Sequence, residues 1–132
     1  MDESEYNNDE SQIFSQDILE THARRTGYTL SYFLIDFVKK HQDVQLIYGI
    51  DWKDTIVLLN GEHSAKFISG VAIARKNEGE ETKVTFLPMF RLEIYDGPKT
   101  VKVLEYTEDA TKNFKTCIDQ ALEELESLWF KV

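Results

Sequence analysis

Cysteine is almost missing from this chain: Cys117 is the only one among 132 residues. A lone thiol excludes an internal disulfide framework and most cysteine-based metal sites. Its place on the apolar side of a helical pattern predicts a small buried hydrophobe rather than a reactive group. Long apolar runs are missing too, and nothing approaches the ~20 residues of a membrane span. The first ten residues carry Asp2, Glu3, Glu5, Asp9 and Glu10, without the basic and apolar regions of a secretory signal. The expected setting is therefore the cytoplasm.

Basic charge is in short supply. Fifteen Lys and Arg face 24 Asp and Glu, for a formal net charge of -9 and a pI near 4.8. Such a balance argues against a general affinity for nucleic-acid backbone or anionic lipid, both of which draw on clustered cations. Catalytic signatures are equally scarce. There is no G-x-S-x-G, no H-E-x-x-H and no glycine loop able to cradle a phosphate. His22, His41 and His63 stand one per region, with no second ligand at metal spacing beside them. No catalytic residue, metal or cofactor is expected. Internal repeats are absent.

What is present is ordinary globular material, 42% hydrophobic and 30% charged, enough for one domain with its own core. Residues 1–10 read as an acidic flexible tail, because they bury too little to offset their ordering entropy. Residues 11–132 read as a single α+β domain. Ser11 or Ser15 could cap a first helix carrying Ile13, Phe14, Ile18, Leu19 and Ala23, with Arg24 and Arg25 at its C-terminal end. Gly27 then stops it, and Leu30, Phe33, Leu34, Phe37 and Val38 form a second stripe closed by Lys39 and Lys40. An N-terminal helical hairpin is predicted, with one long helix bent at Gly27 as the alternative.

From Val44 the period of the apolar pattern drops to two. Strands are predicted over residues 44–51, 55–59, 65–75, 83–95 and 100–106. Asp51 to Asp54, Asn60-Gly61, the loop from Asn77 to Glu81, and Asp96 to Lys99 connect them. Pro88 should break or bulge the fourth strand, and Gly70 should mark a bulge in the third. No crossover helix separates consecutive strands, so an antiparallel meander of about five strands follows. Residues 107–129 close the chain as a long amphipathic helix packed on the sheet, capped by Thr107. Its apolar face is Ala110, Phe114, Cys117, Ile118, Ala121, Leu122, Leu125, Leu128 and Trp129.

Three surfaces could carry a function. Asp119, Glu123, Glu124 and Glu126 crowd the C-terminal half of the last helix, where they oppose the helix dipole and repel one another. That pattern suggests an acidic surface for a basic protein partner. The expected function is accordingly a non-catalytic protein-binding module: a regulator, an inhibitor or a chaperone-like protein. An exposed strand edge or a second apolar stripe would also favour a homodimer. The alternative is a small-ligand-binding domain with an apolar cavity under the C-terminal helix. The third reading takes Ala23, Gly27 and Phe33 as helix-turn-helix offsets, with Arg24 and Arg25 as nucleic-acid contacts. Against it, the second helix offers Tyr32, Ser31 and Asp36 where a reader needs basic groups.

Overall fold

The computed structural model describes residues 16–48 and 55–130. The predicted acidic tail, the Ser11 and Ser15 caps and the turn at Asp51 to Asp54 lie outside these residues. The element order is α1 (Gln16–Lys40), β1 (Gln45–Tyr48), β2 (Thr55–Asn60), β3 (His63–Glu78), β4 (Glu81–Asp96), β5 (Lys99–Thr107) and α2 (Phe114–Trp129). The strands form one antiparallel sheet in sequence order, β1-β2-β3-β4-β5. The α+β class, the five-stranded meander and the C-terminal helix on the sheet are as the sequence predicts.

Alternation turns every second cross-strand pair, both residues together, toward the helices. Leu46, Ile56, Leu58, Ala65, Phe67, Phe90, Leu92 and Ile94 face them and join one core with Leu30, Leu34 and Phe37 of α1 and Phe114, Cys117, Ile118, Ala121 and Leu125 of α2. Both helices therefore lie on the same face, α1 chiefly over β3 and α2 over β4 and β5. The other face is polar at its centre: Arg91 pairs with Glu93 at 3.0 Å, and the Tyr95 hydroxyl donates to Glu93 at 2.7 Å. Such a face suits solvent.

The helical hairpin is not formed. Gln16–Lys40 is one helix of 25 residues, roughly 37 Å long, with Gly27 inside it and Arg24 and Arg25 in its middle. Glycine is used here for closeness rather than for stopping. A Cβ on Gly27 would stand 3.3 Å from the Ser69 hydroxyl oxygen on β3, so the helix crosses the strand where both side chains are small.

The last helix begins later than its apolar pattern suggests. Thr107 is the end of β5, Ala110 is exposed, and Asn113 is the N-cap, accepting from the Thr116 amide at 2.8 Å. Between them Asp109 folds a tight turn, taking the Thr111 amide and hydroxyl, both at 2.7 Å, and the Lys112 amide at 2.8 Å. Polar side chains local to the turn claim the amides that a helix would have used.

Pro88 neither breaks nor bulges β4, which runs unbroken for 16 residues and pairs in register with β3, Val71 opposite Pro88. The Pro88 carbonyl points toward β5 and accepts from the Glu108 amide at 3.0 Å. Its ring nitrogen faces that same side, beyond the last β4–β5 pair at Met89 and Thr107, so the β3 ladder loses nothing. Gly70 pairs regularly with Met89; the irregularity falls instead in the β4–β5 register at Ile94 and Tyr95. The loop predicted over residues 77–81 tightens to two residues. Among the described residues, three hairpin turns place Gly61, Gly79 and Gly97 at their first corner with positive φ, as two-residue turns of this hand require. Among the described residues, β3 beyond Ile68 and β4 before Met89 have no third strand, so they project as a two-stranded ribbon.

Candidate functional site

The acidic group on α2 does not remain a free surface. Asp119 pairs with Lys115 one turn away at 3.0 Å, Glu124 with Lys102 on β5, and Glu126 with His41 at 2.8 Å. The His41 ring also stacks on Phe130, with centroids 4.1 Å apart and planes within 5°. Two of these four carboxylates thus tie α2 to its neighbours, one to the sheet and one to the end of α1. Glu123 alone has no ion-pair partner among the described residues. The repulsion read from the spacing is answered partly within the helix, by Lys115, and partly by Lys102 and His41 from other elements, which the sequence of the helix does not display.

Arg24 and Arg25 lie on a continuous helix, so the helix-turn-helix frame that would aim them at a groove is not formed. Arg25 instead lines a cleft between α1, the ribbon and the first residue of α2. The cleft measures about 170 Å³, with Phe86, Leu87, Pro88, Val71 and Phe114 as apolar lining and His22, Thr26 and Thr29 beside Arg25. It is smaller than most ligand sites. Of the C-terminal helix, under which the sequence predicts a cavity, only Phe114 lines this cleft. The cleft's hydroxyls are already engaged, Thr26 with the His22 carbonyl at 3.0 Å and Thr29 with the Arg25 carbonyl at 3.1 Å. His22 is stacked on Phe86 at 4.4 Å.

Cys117 is 1% exposed, its thiol directed at the Thr107 carbonyl at 3.6 Å, and burial pushes its pKa up, away from thiolate reactivity. Tyr106 is likewise raised, first by burial and then by the Glu124 carboxylate. His63 lies 3.6 Å from Asp96 across the β3–β4 pair. No group of three or more metal-ligating side chains occurs among the described residues, and no described helix is long and apolar enough to cross a membrane.

The feature that periodicity passed over is on the outside of α1. Leu30, Leu34 and Phe37 fill the core, yet Tyr28 and Tyr32, one turn apart on the opposite side, are 72% and 69% exposed, and Ile35 follows at 41%. At 100° per residue, Tyr28, Tyr32 and Ile35 share one stripe. Beside it runs β1, the outermost strand, whose Ile47 and Tyr48 are also exposed. The Ser31 and Tyr48 hydroxyls meet at 2.5 Å and lock the tyrosine of the edge strand against the helix. The signal was in the sequence: a helix with apolar residues at the three-and-four spacing on both faces has one face too many for a single core. Splitting α1 at Gly27 hid it, because the outer stripe begins at the break. No family model, no curated protein and no solved structure matches this chain.

Proposed function

We propose that this chain is a non-catalytic protein-binding module whose working surface is the outer face of α1 together with the β1 edge. The observation that carries the reading is the exposure of Tyr28 and Tyr32 on a helix whose other face already fills the core. Tyrosine is enriched at interface centres, since its ring buries a large area at low entropy cost while its hydroxyl still finds a partner. Among the described residues, strand β1 adds a sheet edge with no further strand beside it. A regulator, inhibitor or chaperone-like protein works through such a surface. A cytoplasmic setting belongs to the same proposal and is supported by a lone, buried thiol. The acidic face, now reduced mainly to Glu123, ranks second as a contact for a basic partner and would act through association rate.

The test is capture from native lysate on immobilised full-length chain, wild type against Tyr28→Ser/Tyr32→Ser. Both side chains are largely in solvent, so the variant should keep its melting temperature and lose the retained protein. Retention of the same proteins by both forms would overturn the reading. A further variant, Glu123→Lys, separates the two faces: it should leave retention intact if α1 is the surface. A small-ligand role is favoured by one observation, the Arg25-lined cleft. There the probe is benzoate, an apolar ring with one carboxylate, and a thermal shift abolished by Arg25→Ala would support it.

A further inference from the structure

We infer that the cleft between α1 and the β3–β4 ribbon holds a small monocarboxylate, its single ring or short chain inside and its carboxylate on Arg25. The site rests on the small-ligand role proposed for this cleft, independently of Tyr28 and Tyr32, and adds the ligand class. Size sets the first bound. The cleft's volume of about 170 Å³ is close to the roughly 150 Å³ of an apolar cavity that binds benzene. It is too small to enclose a nucleotide, a flavin or a long acyl chain. Depth sets the second bound. Thr26 and Phe114 are buried and make the floor, Val71, Phe86 and Pro88 are half-buried walls, and Arg25 and Thr29 are exposed at the rim. A ligand entering there meets apolar surface in the interior and a cation at the mouth.

Hydrogen-bonding capacity sets the third bound. The Thr26 and Thr29 hydroxyls spend their hydrogens on the His22 and Arg25 carbonyls, so toward a ligand they offer only lone pairs. Inorganic phosphate, which needs donors on several sides, is poorly served by such a lining. One carboxylate, by contrast, matches the parallel N–H groups of a single guanidinium. Arg25 is open to that partner. Its neighbours three and four residues away on α1 are Thr21, His22, Tyr28 and Thr29, so its own helix supplies no acid. Arg25 has no ion-pair partner among the described residues, whereas Arg91, Lys102 and Lys115 each have one. An exposed cation is ordinary on its own; this one stands on the rim of an apolar hollow. The net charge of -9 repels anions in general, so affinity has to come from this local match. The walls belong to the ribbon, the floor to α1 and α2, and a bound ligand therefore ties the ribbon down.

Titration of the full chain followed by amide chemical shifts tests this, with benzoate, benzyl alcohol and inorganic phosphate as probes. Benzoate should saturate the amides of Thr26, Thr29, Leu87 and Phe114 with a dissociation constant of roughly 0.1–3 mM, in keeping with its size. Benzyl alcohol has the same ring without the charge and should bind about fivefold more weakly. Phosphate should leave these amides unmoved. Arg25→Gln, at an exposed position, should bring benzoate down to the affinity of benzyl alcohol and leave the alcohol as it was. Val71→Phe fills the hollow and should abolish both, once circular dichroism shows that it is folded. At ten times the dissociation constant, benzoate should slow hydrogen exchange of the Ala72 and Leu87 amides about elevenfold, because an opened ribbon has no cleft to offer. Benzoate shifts that do not saturate, an unchanged affinity in Arg25→Gln, saturable phosphate binding at the same amides, or unslowed exchange would each overturn the inference. The small-ligand role fails separately: benzoate and benzyl alcohol binding alike in the cleft keeps that role and removes only the carboxylate preference.

Discussion

Gly27 and Ser69 illustrate how a pair of small residues sets the distance between two layers. In the middle of a helix, glycine costs roughly 0.5–1 kcal/mol relative to alanine. Here the cost secures close approach: an added Cβ would meet the Ser69 oxygen at 3.3 Å but its Cβ at an ordinary 3.7 Å. That oxygen is buried and has no hydrogen-bond partner among the described residues. Ser69→Ala should therefore be neutral or stabilising by up to about 1 kcal/mol, since it removes an unsatisfied hydroxyl. Gly27→Ala alone should change little, the propensity gain being offset by crowding. On the Ser69→Ala background the same substitution should yield about 0.5–1 kcal/mol. A double-mutant cycle in urea reads the coupling, and strict additivity would show that the contact does not limit the packing. Asp109 offers a pH test. Its carboxylate accepts three bonds, foremost from the Thr111 hydroxyl, which hold its pKa below the usual carboxylate range. A lowered folded pKa contributes stability that is fully present above the ordinary value near 3.9 and is lost as pH falls through the folded value. Asp109→Ala should thus melt lower than wild type at neutral pH, and the two melting curves should converge only below about pH 4.

The β3–β4 ribbon is an element with little support. Its root sits between β2 and β5, whereas its outer part, beyond Ile68 and before Met89, has no strand beside it among the described residues and packs on the N-terminal half of α1, partly through the His22–Phe86 stack. Amides near Ile73 and Val84 should exchange with solvent through local opening, at lower free energy than those of Ala65 and Phe67. Phe86→Ala should widen that gap and lower global stability by about 1–2 kcal/mol, less than a fully buried phenylalanine would cost. Hydrogen exchange followed by NMR resolves both effects. If ribbon and root exchange together, the hairpin opens only with the whole molecule. Elements of this kind mark the limit of what the sequence displays. The glycine of the β2–β3 turn, Gly61, and the apolar stripe from Phe114 to Trp129 are local, and they were legible, although Asn60 ends β2 and the turn's second corner is Glu62. The start of α2 was not, because Asp109 and Asn113 compete for amides in a way that periodicity does not register. Gly27 and Pro88 misled for a common reason. Each is a breaker by propensity, and each is tolerated through a neighbour distant in sequence, Ser69 in one case and the open edge beside Glu108 in the other. The partners of Glu124 and Glu126, Lys102 and His41, likewise lie on other elements and do not show in the sequence of the helix.

At the scale of the whole molecule, two electrostatic terms oppose each other. The chain carries a net charge of -9, so folding concentrates like charge and screening should relieve the repulsion. The ion pairs that salt would weaken are partly or largely exposed, Lys115–Asp119 and Lys76–Glu78 among them, and each contributes under about 1 kcal/mol. Raising sodium chloride from about 0.05 to 0.5 M, which shortens the Debye length from roughly 14 to 4 Å, should therefore raise the melting temperature. Thermal melts of wild type and of Tyr28→Ser/Tyr32→Ser at the two salt levels check this, and both chains should shift upward alike, because the substitutions alter no charge. A melting temperature that falls with salt would show that the exposed ion pairs outweigh the self-repulsion of the acidic chain.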